Sequence, residues 1–185
     1  QAALGEAQGS MSQASGQLSE SQSPGSASQS QSEAQADLDR AREELENARD
    51  ELQKEVEKKV REQVMENLQA MLSQQVDVRE ALEAVGPDAD AGQARAIAQV
   101  RSLVDPENAI IALADETIEL CEQTEFSVAP PAALAAVRDR MVYLVDDYTA
   151  GLGGPTVIAT TLQVEQDLRN LVDAMELSNQ NQEPK

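Results

Sequence analysis

Residues 34–52 read AQADLDRAREELENARDEL, and this stretch decides the fold. Small or apolar side chains recur in it at alternating steps of four and three, which keeps them on one narrow stripe of an α-helix. The stripe consists of Ala34, Leu38, Ala41, Leu45, Ala48 and Leu52. We expect it to be one seam of a long helix from Ser26 to Val85, and such a seam needs a second helix to cover it.

A second seam with the same spacing precedes the first. It consists of Leu4, Ala7, Met11, Ala14 and Leu18, in a segment otherwise rich in Gln, Ser and Gly. Ser23-Pro24-Gly25 lies between the seams and is typical of a tight reversal. The sequence therefore predicts an antiparallel hairpin of residues 2–22 with residues 26 to about 50. Disorder of residues 1–30 is the competing interpretation of the same composition.

Beyond Leu52 the apolar residues follow every fourth position, so the predicted stripe turns around the helix. These residues are Val56, Val60, Val64, Leu68, Leu72 and Val76. We expect this part of the helix to pack against the later helices. Gly86 is predicted to cap the helix, and Pro87 to prevent its continuation.

Proline, glycine and apolar spacing delimit further helices over about 90–104, 105–125, 131–150 and 156–177. The predicted inward residues of the last three are Ile110, Ile111, Leu113, Ala114, Ile118 and Cys121; Leu134, Val137, Met141, Leu144 and Tyr148; and Ile158, Leu162, Leu168, Leu171, Val172 and Met175. Residues 151–155 are predicted to be a flexible turn. The predicted class is all-α: a hairpin arm over 1–85, a small bundle over 86–178 packing on the end of the long helix, and a flexible tail over 179–185.

Composition excludes several functions. The net charge of −20 opposes binding to nucleic acid or to an anionic membrane surface. The chain has no histidine and one cysteine, which removes the commonest general base, the commonest zinc ligand and any multi-thiolate metal site. We therefore predict no catalytic, cofactor-binding or metal-binding residue and no enzymatic activity. The thiol of Cys121 is expected to be packed in the core, because the surrounding helix supplies only negative charge.

From Glu107 to Glu125 the predicted helix has no Lys or Arg and carries six acidic residues, Glu107, Asp115, Glu116, Glu119, Glu122 and Glu125. Clustered carboxylates attract cationic surfaces, so Asp115, Glu116, Glu119 and Glu122 are a candidate docking face for a basic protein partner. An acidic exterior that only solubilises the protein explains the same pattern. Self-association through the uncovered part of the seam is a further possibility.

Two segments resemble long helical proteins encoded by planctomycetes and related bacteria. Met11-Ser-Gln-Ala14, Leu18, Ala34, Leu38 and Ala41-Arg-Glu-Glu-Leu45 look like their Gln-rich helical hairpins, and residues 161–168 (TLQVEQDL) are similar to a helix near the ends of their coiled-coil regions. Members of this family often look like envelope proteins with a membrane anchor. The resemblance implies a periplasmic location and carries no catalytic residues, and the turn at 151–155 departs from the family pattern.

The sequence thus favours a non-catalytic helical scaffold or protein–protein interaction module. Because the chain begins at Gln1, we expect it to be a fragment of a larger bacterial protein. No stretch is apolar enough to be predicted as a membrane-spanning helix. The alternative function is a cytoplasmic adaptor or chaperone-like factor that presents a helical groove to a client protein.

Overall fold

The computed structural model describes residues 24–123 and 131–180, and throughout these ranges the regular structure is helical, without a strand. The helices are α1 (Pro24–Asp90), α2 (Ala94–Arg101), α3 (Val104–Gln123), α4 (Pro131–Ala150) and α5 (Pro155–Gln180). The predicted all-α class is confirmed. Residues 1–22 of the predicted hairpin and the end of the predicted tail lie outside the described residues. By their internal contacts, residues 1–56 and 57–185 are two compact units.

The unit formed by residues 57–185 contains a bundle of four antiparallel helices: the second half of α1, with α3, α4 and α5. Side-chain contacts define the neighbours. They are Asn67 with Thr117 (α1 to α3), Asp115 with Arg138 (α3 to α4), Tyr148 with Thr161 (α4 to α5) and Arg79 with Glu165 (α1 to α5). Each helix therefore has two neighbours around a common core, with the short α2 in the connection from α1 to α3.

The core face of α1 begins at Val60 and continues almost to the end of the helix. Its buried apolar residues are Val60, Val64, Leu68, Met71, Val78, Leu82 and Ala89. Of the predicted run of every fourth residue, Val60, Val64 and Leu68 are buried and Leu72 and Val76 are half-buried, whereas Val56 is exposed. A helix has about 3.6 residues per turn, so steps of four must be corrected by steps of three to stay on one face.

The later helices follow the predicted pattern closely. Helix α4 has the predicted bounds, and its five predicted inward residues are all buried. In α3, Ile110, Ala114 and Cys121 are buried, and the other three predicted residues are half-buried. Leu162 of α5 was predicted to face inward, which is wrong: it is 51% exposed, and the neighbouring Thr161 occupies the core position.

The end of α1 differs from the prediction. The helix passes through Gly86 and Pro87 and ends at Asp90. A proline inside a helix removes one backbone hydrogen bond, and here it does so only one turn before the end. The chain turns instead at Gly92, which has φ +84° and whose N–H donates to the carbonyl of Ala89 at 2.9 Å. Glycine adopts this left-handed conformation at little cost.

Gly86 is needed for close packing and not for capping. A Cβ at this position would lie 2.2 Å from the carbonyl oxygen of Gly153, so the turn between α4 and α5 lies directly against α1. Gly151 has φ +79°, and both Gly151 and Gly153 are buried. The turn that the sequence suggested to be flexible is thus packed against the end of α1 and against α2.

We predict that Gly86→Ala lowers the free energy of unfolding by about 1–3 kcal/mol, because the methyl group forces the Gly153 backbone away. Helix propensity alone predicts the opposite, a gain of up to about 1 kcal/mol. Urea denaturation followed by circular dichroism measures the difference. Ser73→Ala is the matched control, since it places the same side chain at an exposed position of α1 and is expected to leave stability unchanged or slightly raised.

The unit formed by residues 1–56 is described from Pro24 onward, as the first half of α1. This segment is densely charged and mostly exposed, with exposed ion pairs such as Arg42 with Glu46 at 3.0 Å. Exposed pairs of this kind contribute little, at most about 0.5 kcal/mol each. Within the described ranges, every helix is too short or too polar to cross a lipid bilayer.

Candidate functional site

Polar side chains are buried at several levels of the bundle core. They are Asn67, Gln75, Glu107, Thr117, Thr161 and Glu165, each at most 6% exposed. Burial of a polar group is unfavourable unless it is hydrogen-bonded, so the partners of these groups decide whether they stabilise the bundle. Three of the resulting clusters join different helices.

The first cluster joins α1 to α3. Asn67 Nδ2 donates to Thr117 Oγ1 at 3.0 Å, and Thr117 Oγ1 donates to the carbonyl of Leu113 at 2.7 Å. Gln63 Nε2 donates to Asn67 Oδ1 at 2.9 Å. Asn67 and Thr117 are therefore both hydrogen-bonded, which makes this cluster a structural link.

The second cluster lies two turns further along α1 and involves Gln75, Glu107, Tyr148 and Thr161. Gln75 Nε2 and Glu107 Oε2 are 3.4 Å apart, which is long for an N–H···O bond. Tyr148 Oη and Thr161 Oγ1 are 2.9 Å apart. Because Thr161 donates its single hydroxyl proton to the carbonyl of Val157, Tyr148 must be the donor to Thr161.

Burial controls the ionisation of this second cluster. Removal from water raises the pKa of Glu107 from its ordinary value of 4.5 to about 7, and the bond from Gln75 opposes the shift only in part. Burial, together with the nearby carboxyl of Glu107, also raises the pKa of Tyr148. Both side chains are 0% exposed, so no substrate can reach them in this conformation.

The third cluster is an ion-pair network between α1 and α5. Arg79 Nε lies 2.5 Å from Glu165 Oε2, and Arg169 Nη2 lies 2.8 Å from Glu165 Oε1. Arg79 also pairs with Glu83, Nη1 to Oε2 at 2.7 Å. The Glu165 side chain is 8% exposed, whereas that of Glu83 is 45% exposed. Glu165 is thus the buried centre of the network, with both of its oxygens bound by arginine.

We predict that Glu165→Gln lowers the free energy of unfolding by about 1–3 kcal/mol, because two arginines lose their shared carboxylate. Glu83→Gln removes the same charge from the exposed side of Arg79 and is expected to cost less than about 1 kcal/mol. Chemical denaturation of both variants at equal ionic strength compares the two positions. Equal losses would contradict the assignment of Glu165 as the centre.

The predicted acidic face lies on the exposed side of α3. Asp115, Glu116, Glu119 and Glu122 are all exposed. Asp115 Oδ1 accepts from Arg138 Nε of α4 at 2.8 Å, so this carboxylate is paired within the bundle. Glu107, at the start of the same helix, is buried and does not contribute to the acidic exterior. Docking of a basic partner on this face stays a prediction.

The predicted seam residues of α1 lie on the unit formed by residues 1–56. Leu38, Leu45 and Leu52 are 44%, 58% and 62% exposed, whereas Ala41 is 4% exposed. Ala48 is exposed. A depression of about 360 Å³ follows this face past Leu38, Ala41 and Leu45. The other predicted seam residues, Leu4, Ala7, Met11, Ala14, Leu18 and the side chain of Ala34, lie outside the described part of the chain.

A groove of about 300 Å³ separates α4 from α5. It is lined by Ala133, Ala136, Val137, Arg140, Asp167, Asn170 and Leu171. Arg140 and Asp167 form an ion pair within this lining. The volume is at the lower end of the range for small-molecule pockets.

Cys121 is buried, as predicted for a packed thiol. Across the described ranges, His, Cys, Asp and Glu side chains do not gather in groups of three that could hold a metal ion. No protein-family model matches the chain, and neither a curated protein nor a solved structure is significantly similar to it.

The buried polar residues were not recognised from sequence, yet the sequence contains a signal for them. In α3 and the preceding residues, the buried positions follow steps of three and four, and two of these positions are polar. The series is Val100, Leu103, Glu107, Ile110, Ala114, Thr117 and Cys121. Thr161 likewise continues the buried series of α5. A search that allowed polar residues at seam positions would have found Glu107, Thr117 and Thr161.

Proposed function

We propose that this protein is a non-catalytic helical scaffold in which residues 1–56 form a hairpin arm and residues 57–185 form the supporting bundle. The observation that carries the proposal is the change of character along α1. From Val60 onward the helix contributes to a closed core. Among the described side chains from 32 to 59, Ala41 alone is buried, while leucines at heptad spacing stay exposed. A surface of this kind is typical of a seam that a second helix covers.

Residues 2–22 are the proposed occupant of this seam. A reversal at Pro24 sets Ala7 opposite Ala41, Met11 opposite Leu38 and Leu4 opposite Leu45. Small residues then meet small residues, which permits close approach of the helices, and large residues meet large ones. The burial of Ala41 and the depression along Leu38 and Leu45 support this register.

Disulfide trapping tests the register. In a Cys121→Ala background, Ala7→Cys with Ala41→Cys is expected to form an intramolecular disulfide, because bridged Cα atoms lie within about 7 Å. Ala7→Cys with Ala48→Cys is the control, since position 48 lies about 10 Å further along α1. Non-reducing electrophoresis and mass spectrometry identify the products.

Equal yields from the two cysteine pairs would contradict the hairpin, and so would unstructured residues 1–22 by amide exchange. Disulfides between two chains would instead indicate that the seam is covered by a second copy of the protein.

We further predict that Leu38→Glu with Leu45→Glu exposes the arm to amide exchange and leaves the unfolding midpoint of the bundle unchanged. Charges at the seam oppose its burial, whereas the bundle core begins only at Val60. The control is Asn47→Glu with Gln53→Glu, which adds the same charge at exposed positions off the seam. A lowered unfolding midpoint of the bundle in the seam variant, together with increased exchange in the arm, would show that the two units fold cooperatively.

The resemblance to planctomycete-type envelope proteins supports a role as a spacer or attachment arm within a larger envelope protein. An upstream signal or anchor segment in the full-length gene would support this location. The alternative, an adaptor that presents a helical groove to a client, is less well supported. The groove between α4 and α5 is about 300 Å³, whereas a docked helix needs a groove several turns long.

A further inference from the structure

Glu107 and Gln75 form an incomplete pair inside the bundle. Both side chains are 0% exposed, and one bond joins them, from Gln75 Nε2 to Glu107 Oε2. The remaining oxygen of each group, Glu107 Oε1 and Gln75 Oε1, is buried without a hydrogen-bond partner in the described part of the protein. Both oxygens are hydrogen-bond acceptors. A single hydrogen atom placed between them would pair both.

The neighbouring groups do not supply that hydrogen. From α4, Tyr148 faces the cluster, but its hydroxyl proton is donated to Thr161 of α5. Asp147, the acidic neighbour of Tyr148, has only an acceptor to offer when ionised. One turn beyond Gln75 on α1, Arg79 is bound by Glu83 and by Glu165 of α5. Within the described residues, Glu107 is hydrogen-bonded by Gln75 and forms no ion pair.

We infer that Glu107 is a proton-operated latch: as the neutral acid it pairs head to head with Gln75 and holds α3 on α1, and loss of the proton releases this contact. In the latched form, Gln75 Nε2 donates to Glu107 Oε2, and the acid proton on Glu107 Oε1 is donated to Gln75 Oε1. Both orphan acceptors are then satisfied by one hydrogen. On release, the proton passes to water and an uncompensated carboxylate remains between the helices.

Burial sets the pH range of the latch. The pKa of Glu107 is about 7 in the folded bundle, against an ordinary value of 4.5. Between these values the folded state binds more protons than the unfolded chain. The stabilisation from Glu107 is therefore fully present below pH 4.5 and is lost as pH rises to about 7. The chain has no histidine, so this carboxyl supplies a titration near neutrality that histidine supplies in other proteins.

Two measurements on the intact protein test the latch. The carbon-13 shift of the Glu107 carboxyl, followed against pH, is expected to titrate near neutrality. Amide-exchange protection of α3, corrected for the intrinsic pH dependence of exchange, is expected to fall on the order of 50- to 100-fold between about pH 5 and about pH 8.

Glu107→Gln keeps the shape of the neutral acid and cannot ionise, so its protection is expected to stay constant over this range. Glu116→Gln removes a carboxyl from the exposed side of the same helix and is expected to keep the wild-type pH dependence. This control accounts for the change in net charge.

A Glu107 carboxyl that titrates near its ordinary value in the folded protein would overturn the inference, because a bound water would then satisfy the orphan oxygens of an ionised pair. A wild-type pH dependence that survives in Glu107→Gln would do the same. If that variant does not fold, the titration of the wild-type carboxyl still decides the question.

Discussion

The packing of the second half of α1 against α3 and α5 is the constraint on which the bundle depends. This part of α1 supplies seven buried apolar residues, and it also supplies one partner for each of the three polar clusters. With one Phe, two Tyr and no Trp in the chain, the core consists mainly of Val, Leu, Met and Ala. Such side chains fill space well between helices but are similar in shape, so alternative registers differ little in apolar burial alone.

The buried polar pairs distinguish between these registers. Along α1, Asn67 precedes Gln75, and their partners on α3, Thr117 and Glu107, follow in the opposite order. A shift of α3 by one turn would separate both pairs at once and leave buried donors and acceptors unpaired. The contact of Gly86 with Gly153 fixes the far end of α1 in the same way, since only glycine permits that approach. Polar matching and close backbone contact thus specify an arrangement that the apolar residues alone do not.

Sequence patterns predicted the helices better than they predicted the contacts between them. Helix α4 was predicted correctly because Pro131, an apolar spacing of three and four, and Gly151 all mark the same element. Gly86-Pro87 was misread because a glycine that permits a close contact looks the same in sequence as one that caps a helix. Glu107 was counted with the acidic residues of its helix, whereas its side chain is buried against Gln75, 32 positions earlier in the chain. The hairpin and the acidic docking face are still predictions.

The first half of α1 is mostly exposed, whereas its second half contributes to a closed core. From Val60 onward the core face of α1 is covered by its own bundle, in which Asn67 and Arg79 bind partners on other helices. On the first half of α1, Leu45 and Leu52 are more than half exposed, as apolar side chains must be if a partner is to cover them. Dense flanking charge keeps such a surface soluble and limits which partners can approach it. The charged, exposed half of α1 and its buried half therefore meet different physical requirements within one continuous sequence of helical residues.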